Sequence, residues 1–161
     1  MRANASLVRQ LLRWSALAVL TLYVAASVFA GGPRPTPMAL QYDPHYILER
    51  VADEMRVTLR PDIPVPQVHL ESTTELRRFQ DAIEAQWGFR PEAFSNAYVA
   101  NRNEIYLLDD ADYYARLKRT PDDSLAHELV HYIQVRYLGA DLEDPSCETE
   151  AIAIQGRFMP Q

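Results

Sequence analysis

The stretch from Thr120 to Gly139 constrains the fold more than any other. Thr120 can cap a helix, Pro121 suits the first helical position, and Asp122 and Asp123 complement the positive end of the helix dipole. Gly139 supplies the C-terminal stop. Inside this helix Leu125, Leu129, Tyr132 and Arg136 fall on one face, and Ala126, Val130, Ile133 and Tyr137 on a second. A helix apolar on two sides needs covering elements on both. The side that remains carries His127, Glu128 and His131.

The elements available to cover it can be read in order. Asp43-Pro44 starts a helix whose buried stripe is Ile47, Val51 and Met55 and which stops near Arg60-Pro61. Val65 to Leu70 reads as a strand. Ser72-Thr73-Thr74-Glu75 has the form of a capping box, opening a helix with Leu76, Phe79, Ile83 and Trp87 on its apolar face and Gly88 at its end. Asn96–Ala100 and Glu104–Leu108 form a β-hairpin through Asn101-Arg102-Asn103. A short tyrosine-bearing helix covers roughly Asp110 to Lys118, and Asp144-Pro145 starts a last one. The fold class is therefore α+β, a small sheet with a hairpin edge packed on the central helix. At 161 residues the chain holds one real core.

Residues 1–30 stand apart. Arg2, Arg9 and Arg13 precede an uncharged run from Trp14 through Ala30, and Val28 and Ala30 are small enough to flank a signal-peptidase cut. We expect a secretory signal at 1–30, cleaved after Ala30, a flexible spacer at 31–41, and a folded domain at 42–161. The alternative is an uncleaved anchor over residues 14–33, about long enough to span a bilayer. Either way the domain is expected outside the cytoplasm, periplasmic or secreted, touching membrane only through an uncleaved N-terminal segment. Losing three arginines and no acid moves the net charge from −6 to −9, a poor complement for nucleic acid. Cys147 is the single cysteine, so no internal disulfide can staple the exported fold.

The central helix also carries chemistry. Four helical residues turn about 400° and rise about 6 Å, so His127 and His131 emerge one turn apart and can reach one ion at about 2.1 Å. H-E-x-x-H is the arrangement in which two imidazoles hold zinc while the glutamate activates a water. Zinc ordinarily takes three protein ligands at a catalytic site. Glu148 and Glu150 on the last helix are the candidates for the third, and about 200° separates them, so only one can face the ion. From Glu148 the same face runs through Ala151, Ile152 and Gln155; from Glu150 it runs through Ala153, Ile154 and Arg157. The small Ala151 favours Glu148. A third histidine is not available, since Tyr132 to Gln161 contains none, and His45 and His69 read as surface or sheet residues.

With H-E-L-V-H-Y-I-Q and C-E-T-E-A in view, the segment from Asn96 to Phe158 resembles the gluzincin branch of zincin metallopeptidases, most closely its small, secreted bacterial members. The resemblance implies a minimal zincin-like domain, a zinc ion per chain, His127 and His131 as ligands with a glutamate from the following helix, and peptide-bond hydrolysis with Glu128 as general base on exported peptide or protein substrates. Some gluzincins place the ligand directly before the alanine, which would point to Glu150. Larger members also carry an aspartate four residues past the ligand, where this chain has Ile152 or Ile154. A hairpin edge, Asn96–Ala100 or Glu104–Leu108, is expected to pair with an extended substrate. Tyr98, Tyr106, Tyr137 and Arg157 have the chemistry of an oxyanion donor, and none stands out. With no further domain to wall a deep cleft, the substrate would be exposed, flexible polypeptide. Two alternatives stay open: an inactive zinc-bearing module that binds a partner, and a structural zinc closed by Cys147.

Overall fold

A computed structural model describes residues 36–158. The expected signal or anchor at 1–30 lies outside the described residues. Among those described, no helix is long and apolar enough to cross a membrane.

Residues 36–41, read above as the end of a flexible spacer, are held in place. Pro37 bridges Asp110, Met38 N donates to the Asp109 carbonyl at 2.6 Å, and Gln41 N donates to the Asp122 carboxylate at 3.0 Å. Helix α1 (Pro44–Met55) follows, with Asp43 accepting from His45 N and Ile47, Leu48, Val51 and Ala52 buried. It ends earlier than its sequence suggests. Arg56 turns left-handed at φ 56°, and the bonds Arg56 N to Asp53 O and Val57 N to Ala52 O close a Schellman-type turn.

Strand β1 is Gln67–Leu70, shortened because Pro66 has no N–H to pair and the Pro64 and Val65 carbonyls go instead to the Asn103 side chain. A 3-10 turn, Glu71–Thr73, then delays helix α2 to Leu76–Trp87. The capping box expected from Ser72 does not form. Both the Ser72 amide and its hydroxyl donate to the Asp109 carboxylate, which leaves Glu75 as an N-cap without a side-chain bond. At the other end Gly88, at φ 74°, closes the helix as expected.

The hairpin pairs β2 (Ala97–Val99) with β3 (Glu104–Leu107), Tyr98 opposite Ile105. Parallel pairing of β1 with β3 makes the order β1-β3-β2. Strand β3 is thus the central strand, and the expectation that Glu104–Leu108 could be a substrate edge is overturned. Successive residues of β3 face opposite ways. Ile105 and Leu107 join a core built with α1, α4 and α5, and Tyr106 joins a second one with Phe79 and Ile83 of α2.

Helix α3 (Ala111–Leu117) is capped by Asp110. Helix α4 (Pro121–Arg136) is capped by Thr120 as expected, and Asp123 completes a capping box that was not expected, Thr120 accepting from Asp123 N and Asp123 accepting from Thr120 N. Such a cap contributes about 1 kcal/mol. The helix lies against α1, α5 and the sheet, and Leu125, Tyr132 and Ile133 are fully buried. Each of these side chains stabilises the packed position by about 1.5–3 kcal/mol. The last helix, α5 (Pro145–Phe158), starts with Ser146 N on the Asp144 carboxylate. It buries Ala151, Ile154 and Gln155. The molecule is α+β, with α4 as its centre.

Candidate metal centre

Three side chains from the two helices converge. His127 Nε2 and His131 Nε2 lie 3.1 Å apart, His127 Nε2 is 3.5 Å from Glu148 Oε1, and His131 Nε2 is 3.3 Å from Glu148 Oε2. Donors bound to one ion at 2.0–2.1 Å and at the tetrahedral angle are about 3.4 Å from each other. The observed separations bracket that value. Both rings are sunk among neighbours, at 15% and 13% exposed, whereas the Glu148 side chain is 57% exposed. The site is therefore walled by α4 and opens on the α5 side. It is the only group of three or more metal-ligating side chains found among the described residues.

Electrostatics bind the three together. Burial pushes the His131 ring down, but the Glu148 carboxylate, the charge of Glu128 and the Gln134 oxygen outweigh it, so its pKa ends above the ordinary imidazole value. Hydrogen bonds to His127 and then to His131 hold the Glu148 carboxyl far below the usual carboxylate range. A carboxylate that stays charged beside two imidazoles suits a dication.

Glu128 stands next to the donors but outside them. It is 6% exposed, and its Oε2 accepts from the Tyr98 backbone amide of β2 at 2.7 Å. The strand order leaves β2 at the sheet edge, with Tyr98 and Ala100 turning their backbone groups away from β3. That edge is already partnered. Gln86 of α2 donates to Tyr98 O at 2.9 Å and accepts from Ala100 N at 3.0 Å. The expected substrate seat along Asn96–Ala100 thus requires partners to be exchanged.

Of the two glutamates, Glu148 meets the histidines. Glu150 instead accepts from Gln134 Nε2 at 2.9 Å. Gln134, at 1% exposed, also donates to Cys147 O at 3.0 Å and places its Oε1 2.9 Å from His131 Nδ1. The sequence analysis missed it; the available signal was one amide in the buried run between Ile133 and Val135. Cys147 lies outside the three-residue group, and burial raises its thiol above the usual value, with the acids Asp144, Glu150 and Asp141 adding to the shift. Gln155, on the same face as Glu148, donates to Asp123 O and accepts from Arg119.

The remaining candidates have other partners. Arg157 pairs with Glu54 at 3.2 Å. Tyr98 OH donates to Asn103, Tyr106 OH donates to Glu104, and Tyr137 OH accepts from Arg60 N. His45 faces Glu49 on α1, and His69 sits on β1 against Arg78 and Glu104. Comparisons with protein-family models, with curated proteins and with solved structures found no match.

Proposed function

We propose that this chain is a metal-dependent peptide hydrolase built on a zincin-like arrangement, holding one zinc ion per chain on His127, His131 and Glu148. The observation that carries the reading is the spacing of the three donors, 3.1 to 3.5 Å, which fits the ligand shell of one tetrahedral ion. Three protein donors on a solvent-facing site match a catalytic centre; a structural site takes a fourth protein ligand. Zinc bound there would supply a Lewis acid that lowers the pKa of water to near 7 and polarises a carbonyl.

The chain's own residues would do the rest. Glu128 takes the proton of the attacking water at a carboxylate oxygen and returns it to the departing amine nitrogen. The Tyr98 amide fixes Glu128 Oε2, which leaves Oε1 to carry that proton. The packing of α4 holds both imidazoles where they are, and Glu148 is brought to them by α5. The substrate would be exposed, flexible polypeptide in an exported setting, as the N-terminal segment suggests.

A second reading, a zinc-bearing module that binds a partner without cleaving it, is favoured by one observation: the backbone groups of the β2 edge are taken by Gln86 and Glu128. Metal analysis followed by a casein assay with and without chelator separates the two. The hydrolase reading expects stoichiometric zinc, chelator-sensitive cleavage, and retained zinc with activity lost by about 10²–10⁴-fold in Glu128→Gln. Cleavage at the wild-type rate by that variant would assign the chemistry elsewhere, and zinc without cleavage by either form would support the binding module.

A further inference from the structure

Gln134 has three polar contacts and only one arrangement that satisfies them. Its Nε2 lies 3.0 Å from Cys147 O and 2.9 Å from Glu150 Oε2. A backbone carbonyl and an ionised carboxylate can only accept, so both must face the amide NH₂ group. The reverse orientation would set oxygen against oxygen twice around a group that is 1% exposed. The direction of the amide follows from the chemistry of its partners. Oε1 must then point the other way, and it sits 2.9 Å from His131 Nδ1. Gln Oε1 has no proton to give. The hydrogen in that contact belongs to Nδ1.

We propose that Gln134 is a positioning residue that fixes His131 in its Nδ1–H tautomer and so presents a bare Nε2 to the metal before any metal arrives. This rests on the metal reading given above. The Nε2 atom in question lies 3.1 Å from His127 Nε2, which can donate to it while the ring is neutral, and 3.3 Å from Glu148 Oε2, to which it donates only when the ring is protonated. Which nitrogen of a histidine is available for a metal is set by the hydrogen bond the other one makes. The partner for His131 is an uncharged amide from its own helix, three residues on.

The same amide ties the two ligand-bearing helices together. Its NH₂ group bonds Cys147 and Glu150, the residues on either side of Glu148 at one and two positions. One side chain of α4 therefore sets both the tautomer of a ligand on α4 and the register of α5 where the third ligand sits. Glu150 acquires a role outside the donor set: it orients the amide that orients His131.

The test begins with the full-length chain stripped of metal, at a pH where the imidazoles are neutral. Long-range ¹H–¹⁵N correlation spectra should show His131 with its proton on Nδ1. In Gln134→Met, which keeps the volume and loses the acceptor, that preference should disappear and zinc should bind roughly 10–100-fold more weakly in a chelator competition. Gln134→Glu keeps an acceptor for Nδ1, so it should keep the tautomer while lowering the thermal midpoint through repulsion with Glu150. A role in packing alone would lower the midpoint of Gln134→Met and leave the tautomer and the zinc affinity unchanged, and that result overturns the proposal. A wild-type spectrum with the His131 proton on Nε2 overturns it directly, with no variant needed. The spectrum reads the tautomer whether or not zinc binds, so a failure of the metal reading is seen separately, as a wild-type chain that takes up no zinc.

Discussion

Replacing Glu148 and Glu150 one at a time asks which carboxylate belongs to the metal. The magnitude follows from linkage. A ligand at a hundred times its dissociation constant stabilises the folded state by about 2.7 kcal/mol. For a chain of 161 residues, 1 kcal/mol moves the thermal midpoint by about 2–4 °C, so zinc at that level should raise the wild-type midpoint by roughly 5–11 °C. Glu148 stands 3.3 to 3.5 Å from both imidazole nitrogens, and Glu148→Ala removes one of three donors. Its zinc-induced rise should fall close to zero. Its loss also removes the bonds to the two imidazoles, so the rise is read against each variant's own metal-free midpoint. Glu150 touches only Gln134 among the groups at the site, and Glu150→Ala should keep most of the rise. Differential scanning fluorimetry across a zinc titration, with metal content measured on dialysed protein, reads both variants. A flat response in Glu150→Ala together with a wild-type response in Glu148→Ala would refute the assignment.

The pH dependence of the metal-free protein provides a second check. His131 is raised above its unfolded value of 6.5, so its contribution is full below that pH and is lost as pH rises through the folded value. Glu148 is depressed below its unfolded value of 4.5, so its contribution is full above that pH and is lost as pH falls through the folded value. Both are present together between 4.5 and 6.5, and the midpoint measured across pH should be highest there relative to Glu148→Gln. A constant difference between the two proteins from pH 4 to 9 would contradict this. Away from the three donors, at the 3-10 turn after β1, burial and then the charges of Asp109 and Asp110 raise the carboxyl of Glu71. A carboxyl raised in the fold is unfavourable there once ionised, so Glu71→Gln should raise the midpoint at pH 7 and lose that advantage as pH falls through the raised folded value toward the unfolded 4.5. An unchanged midpoint at pH 7 would show that neither burial nor the two aspartates makes the ionised Glu71 costly.

Local chemistry explains what the sequence made legible. The starts of α1, α4 and α5 were readable because Asp43, Thr120 and Asp144 each bond an amide two or three residues on, with proline between. The His127, Glu128, His131 spacing was readable because one helix fixes it. That Glu148 and not Glu150 turns toward the histidines was legible from helical faces, since the small Ala151 lies fully buried on the Glu148 side. What failed to show was non-local. Ser72 has the local pattern of a capping box, and a carboxylate 37 residues away takes both its donors. Nothing in β1 announces that it will pair parallel with β3, and that pairing decides which strand is the edge. Arg56 ends α1 in a conformation usually given to glycine, so no glycine marked the stop. Gln134 gave little sign because two of its three partners, Cys147 and Glu150, come from another helix that only the fold brings near.

The edge of the sheet connects the two readings of function. An extended peptide adds to an edge through backbone bonds, and on β2 those would be made to Tyr98 and Ala100. In the present arrangement the Gln86 amide spans Tyr98 O and Ala100 N as a strand would, while Glu128 holds Tyr98 N. A peptide pairing through Tyr98 O and Ala100 N would displace Gln86 and leave the Tyr98 amide on Glu128. A substrate too short to reach both Tyr98 and Ala100 could not displace Gln86. The hydrolase reading then predicts a preference for extended substrates, and it predicts that Gln86→Ala lowers KM for them while leaving kcat near the wild-type value. Each bond that Gln86 makes is worth about 0.5–1.5 kcal/mol net, so removing the competitor should lower KM by roughly 5- to 150-fold if both bonds are exchanged for peptide ones. Gln86 is exposed on α2 and reaches the strand only by these two bonds, so the fold should survive the change. Steady-state kinetics on a peptide series of increasing length measures both effects. A KM that is unchanged or higher in Gln86→Ala would mean that β2 is not where substrate lies, and the edge would then be a closed one, as a partner-binding module could retain without loss.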